Sequence, residues 1–194
     1  MRTSKTFKKI IILSLAILPL SLGLLQTDAD AVRFSGGRTS ATYNVWYSDS
    51  VSSYGYVSAI DEARFKWNDT STKVNLTRVL SSTGTPDKYY VGTTAHPTWI
   101  GLQEGYKLSN SSGYVIATGS ETWSFSNIRL FHNNMYRFNM TTSQIISNAT
   151  HEYGHALGLD HTPDSGSSSV MKSGIQDIGP TTYDIQEIRL KWGN

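Results

Sequence analysis

The chain has 194 residues, 17 Lys+Arg against 15 Asp+Glu, and no cysteine. That length suits one domain plus a short appendage, and the missing thiol excludes a cysteine nucleophile, a cysteine metal site and a cysteine-gated latent form. Residues 1–31 hold four of the basic and two of the acidic side chains, so the remainder is neutral, 13 against 13, and nothing favours nucleic acid or an anionic membrane as partner.

The first 31 residues have the three-part layout of a secretory signal. Arg2, Lys5, Lys8 and Lys9 make a positive start, Ile10 to Leu25 is an apolar run, and Ala29-Asp30-Ala31 offers small side chains for cleavage. The run is short for a membrane span, and Pro19 and Gly23 weaken a helix there. The expectation is a secreted, extracellular monomer with no stable membrane association, consisting of a signal peptide (1–31) and one catalytic domain (32–194). A domain of about 160 residues buries enough surface to fold without disulfides.

In chain order, Ala41 to Tyr47 alternates as a strand does. Val57 to Asn68 sets Val57, Ile60, Ala63 and Trp67 near one helical face. Lys73 to Leu80, Lys88 to Thr93, Gly113 to Thr118 and Asn127 to Phe131 read as further strands. The last third is patterned as helix. The predicted class is therefore α+β with a mixed sheet.

Thr141-Thr142-Ser143-Gln144 is a capping-box sequence, with Thr141 as N-cap and Gln144 at N3. It predicts a helix running to about Leu157, with Ile146, Ala149, Tyr153 and Leu157 facing the core. His151 and His155, four apart, share the opposite face and can reach one tetrahedral zinc. Glu152 follows the first ligand, where its carboxylate can reach a zinc-bound water without ligating the metal. Gly158 can take the left-handed conformation that ends a helix, which lets His161 swing back as third ligand. By chance, His-Glu-x-x-His-x-x-Gly-x-x-His is expected on the order of 10⁻⁵ times in such a chain. His96 and His132 have no comparable spacing and read as structural or surface residues.

The segment His151 to His161 resembles, residue for residue, the zinc motif of the metzincin metallopeptidases, in their matrixin-like branch. The resemblance implies a metzincin-like domain: a mixed, mostly parallel twisted sheet, an active-site helix, a Met-turn and a C-terminal helix. It implies hydrolysis of peptide bonds in a protein or peptide substrate by a zinc-activated water, with Glu152 as general base. Ser169-Val170-Met171 looks like the Met-turn beneath the zinc. Pro180 to Gly193 resembles the C-terminal helix, with Asp184 matching the acid that supports the turn. Ser147 and Tyr183 match positions that line the substrate pocket. The substrate is expected beside a free strand edge, for which Gly113 to Thr118 is the choice.

The chain departs from that family in places. Matrixins also carry a second, structural zinc and calcium, but no His/Asp-rich segment for them is visible in 93–130. Lys172 follows Met171 where astacin-like members have Tyr. Val32 to Ser40 is too short to fold as an inhibitory domain, so activity without further processing is expected. Two other classes fit the residues less well. One is a secreted binding module with 11 Tyr and 5 Trp and a purely structural zinc. The other is a metallohydrolase acting on a non-peptide bond.

Overall fold

The computed structural model describes residues 33–194. The proposed signal segment lies outside them. Among the described residues no helix is long and apolar enough to cross a membrane.

Six strands form one sheet: β1 (Thr42–Tyr47), β2 (Asn75–Val79), β3 (Asp87–Gly92), β4 (Gly101–Ser109), β5 (Gly113–Ile116) and β6 (Phe125–Phe131), in the spatial order β2-β1-β3-β6-β4-β5. The pairs from β2 to β6 are parallel; β4 is antiparallel to both β6 and β5. Among the described residues, five helices complete the domain: α1 (Asp49–Ser53), α2 (Val57–Asn68), α3 (His132–Arg137), α4 (Thr142–Ala156) and α5 (Thr182–Trp192). This is the mixed, mostly parallel α+β architecture read from the sequence.

The core follows from the alternation. Tyr43, Val45 and Tyr47 of β1 point inward with Leu76, Tyr89, Val91, Ile128 and Leu130, and all are buried. They meet α2 through Ile60, Ala63 and Trp67, and α4 through Ala149, Tyr153 and Leu157. Ile146 is only half-buried and Ile145 packs against the core in its stead. Trp67 also ties the two helices together, donating its indole N–H to Thr150 O at 2.8 Å.

The sequence patterns missed β4 and the two short helices α1 and α3. The inward-facing positions of β4 are Gly101, Gln103, Gly105 and Lys107, which show no apolar alternation. The packing explains why: a Cβ on Gly101 would stand 2.3 Å from Glu152 Oε1, and one on Gly105 would stand 2.5 Å from the Trp123 ring. Glycine in a strand marks such a close approach.

Candidate metal and active site

Helix α4 begins as its sequence dictates. Thr141 Oγ1 accepts from Gln144 N, and the Gln144 side chain accepts from Thr141 N at 2.9 Å, closing the capping box. The helix ends at Gly158, whose φ of +90° is the left-handed conformation that turns the chain. A side chain there would also strike Lys191, whose Cε lies 2.3 Å from an added Cβ.

These two ends set three imidazoles around one point. His151 Nε2 lies 3.0 Å from His155 Nε2 and 3.1 Å from His161 Nε2, and the last pair is 3.2 Å apart. Zinc–nitrogen bonds of about 2.0–2.1 Å at tetrahedral angles separate ligand nitrogens by about 3.3 Å, so the triad fits that ion to within a few tenths of an ångström. The outer nitrogens fix the tautomers. With Nδ1 protonated, His151 donates to Val170 O and His155 to Leu159 O, both at 2.8 Å, leaving each Nε2 lone pair aimed at the centre. The His151 and His155 acceptors, 3.0 Å apart, repel one another unless a cation joins them. Burial, followed by the neighbouring His161, pushes His151 down to about 4, although the Val170 carbonyl opposes the shift. Burial and its two imidazole neighbours hold His155 well below 6.5. Both rings are therefore neutral ligands at neutral pH.

Glu152 is buried, and its Oε2 has no hydrogen-bond partner in the fold. Burial raises its carboxyl to about 8. An orphaned buried oxygen calls for an explanation, and a water held beside the triad would supply one.

Beneath the triad lies the turn Ser169-Val170-Met171. Met171 is 1% exposed and its sulfur lies under Gly154. Asp184, buried at N3 of α5, accepts from Val170 N at 3.0 Å, Thr181 N at 2.8 Å and the Ser169 hydroxyl. The same carboxylate therefore caps α5 and fixes the turn whose Val170 carbonyl orients His151.

The triad opens on a cleft of about 590 Å³. The residues anticipated for its pocket are not in its lining. Ser147 is buried and its hydroxyl accepts from Ile178 N at 3.4 Å, behind the wall. Tyr183 lies in the first turn of α5 and is not among the lining residues. The wall is built from Asn148, Phe138, Trp99 and Ile175, with Phe34 at another point. Asn148 was legible: it shares the helix face of His151, Glu152 and His155 at i+3, i+4 and i+7. The others come from loops, where no periodicity marks them. The strand edge differs too. Gly113–Ile116 is the outermost strand, but it pairs with Tyr106–Ser109 of β4. The edge facing the cleft is Gly101–Gln103. His96 stacks on Trp99 at 4.2 Å and His132 hydrogen-bonds Tyr56 at 2.8 Å; neither joins the triad.

Among the described residues, one three-nitrogen site fitted to a tetrahedral cation, with a buried carboxylate alongside and an open cleft, defines the class as a zinc centre with room for a reactant. The matrixin family model matches residues 38–190, and the chain belongs to that family of zinc metallopeptidases. It is 28% identical over 147 residues to matrix metalloproteinase-C of Caenorhabditis elegans, covering 72% of this chain and 24% of that protein; it thus spans about a quarter of that relative's length. Among solved structures, it is similar to myroilysin (TM-score 0.47, 14% identity, 84% of this chain and 98% of that one). It is also similar to the hatching enzyme HCE-1, a zinc-protease from Oryzias latipes (TM-score 0.44, 16% identity, 77% and 89%).

Proposed function

We propose that this protein is a secreted zinc endopeptidase in which His151, His155 and His161 hold the metal and Glu152 is the general base. The observation that carries this reading is the convergence of three imidazole nitrogens beside a buried, unpartnered carboxylate on an open cleft. A purely structural zinc would have no use for Glu152 there. When bound, zinc polarises a water and lowers its pKa towards ~7.

The chain's own residues account for the rest. Glu152 takes the water's proton as its oxygen bonds to the peptide carbonyl carbon, then returns that proton to the nitrogen as the C–N bond breaks. Gly101–Gln103 presents backbone N–H and C=O groups to an extended substrate, which adds to the sheet. The glycine at 101 brings that edge against Glu152. Export rests on the signal-like residues 1–31, and a monomeric state belongs to the same proposal.

The test is digestion of a mixed peptide library by the zinc-loaded protein, with and without a chelator. Chelator-sensitive cleavage within peptides supports the reading. A zinc-bearing protein that cleaves none of them contradicts it.

A further inference from the structure

The segment 33–38 is fastened to the domain along its whole length. Arg33 pairs with Glu187 of α5 at 2.9 Å. Phe34 N donates to Gly158 O at 3.0 Å. The Lys191 ammonium donates to Phe34 O at 2.9 Å and Gly36 O at 3.0 Å. Gly36 and Gly37 donate to Gly119 O and Glu121 O, and a Cβ on Gly36 would stand 2.2 Å from Glu121 O. Arg38 pairs with the fully buried Asp87 at 2.8 Å. Such an array holds one side chain, Phe34, in a fixed place.

That place is inside the cleft. The Phe34 ring stacks on the zinc-ligand candidate His155 at 5.9 Å and meets Trp123 edge-on at 5.9 Å. A Cβ on Gly119 would stand 2.8 Å from Phe34 Cδ1, so the ring occupies a seat that only glycine leaves open. Phe34 is nonetheless half-exposed and lines the cleft. Its end of the cleft can be identified from β4. Gly101 abuts Glu152, whereas Gly105 abuts Trp123, which touches Phe34. At the other end, Asn148 donates to Ile100 O at 3.0 Å. Strand β5 occupies the edge of β4 from Gly105 onward, through Ala117 N to Gly105 O at 2.8 Å. A substrate strand can therefore run along Gly101–Glu104 only, and at about 3.3 Å per residue it meets Phe34 two to three residues from the bond being cut.

We infer that Phe34 is a specificity-determining residue of this chain: its ring, held by the Lys191 clamp, forms an apolar subsite for a leucine or aromatic side chain two to three residues from the scissile bond. The inference rests on the peptidase reading above. An apolar side chain on that ring and on the His155 edge removes apolar surface from water, which a glycine cannot do.

The test uses the zinc-loaded protein and peptides with identical residues flanking the scissile bond. The residues two and three positions away, on each side in turn, are Leu, Gly or Lys. Wild type should favour Leu over Gly at one of these positions by about tenfold in kcat/KM, chiefly through KM. Phe34→Ala should reduce that preference to about twofold, with the loss falling on the Leu peptide's KM more than on the Gly peptide's. Phe34→Leu should restore most of it, and Phe34→Glu should invert it towards Lys. Equal losses on the Leu and Gly peptides in Phe34→Ala, or no wild-type preference at any position, would overturn the assignment and leave the peptidase reading standing. Failure of wild type to cleave any peptide would overturn both.

Discussion

Gly154, in the last turn of α4, lies directly over the Met171 thioether. A Cβ added to Gly154 would stand 2.3 Å from Met171 Sδ and 3.1 Å from Trp67 Cζ2. The zinc helix and the Met-turn can approach this closely only because residue 154 has no side chain. The contact sets the height of the Val170 carbonyl that orients His151.

Gly154→Ala should therefore destabilise the protein, although alanine is the better helix former by about 0.5–1 kcal/mol. Overpacking of a tight core costs about 1–3 kcal/mol, so a net loss is expected in denaturant unfolding. Met171→Ala should rescue part of it, making the double variant less damaged than the two single losses added together. Strict additivity would mean that the two residues do not press on one another.

Gly101→Val should act on chemistry more than on stability. Its side chain would enter the space of Glu152, whose Oε1, Cδ and Cγ all lie within 2.8 Å of an added Cβ. Zinc content should hold at one per chain while kcat falls at least tenfold, since small displacements of a catalytic group cost that much or more. Unchanged kcat would show that Glu152 has room to move without losing its function.

The metal-free protein should weaken on mild acidification. His151 titrates at about 4 in the fold, and burial and its imidazole neighbours hold His155 well below the 6.5 of a free imidazole. Below pH 6.5 the unfolded chain binds protons that the folded chain refuses, so stability is lost as pH falls from 6.5 towards 4. At 1.36 kcal/mol per unit, His151 alone should contribute a loss of about 3 kcal/mol by pH 4. Burial pushes Asp87 up to about 6 and Glu152 to about 8, which works in the opposite direction. The comparison is therefore with His151→Gln/His155→Gln, whose stability should fall less over this range. Parallel profiles for the two proteins would contradict the assigned shifts.

Much of the site was legible because it is written within single elements or at their ends. The capping box at Thr141, the His151–His155 spacing, the turn at Gly158 and the return of His161 depend on residues 141–161 alone. Asp184 and Met171 were legible only through resemblance, since nothing local says that a helix cap will also hold a turn. The sequence patterns did not reveal β4, because tertiary contacts with Glu152 and Trp123 force glycine where apolar alternation would have marked a strand. Ser147 and Tyr183 came from the resemblance alone, whereas a pocket is defined by what converges on it. Trp99 and Ile175 arrive on loops, and Phe34 is carried in by a segment whose fastening to α5 has no periodic signal.

The most direct test of the central claim is the Glu152→Ala variant, measured for zinc content and peptide hydrolysis in the same preparation. General-base assistance contributes about 10²–10⁴-fold, and Glu152 donates no ligand atom to the triad. The variant should therefore keep one zinc per chain and lose activity by that factor. Full zinc occupancy with undiminished hydrolysis would contradict the account.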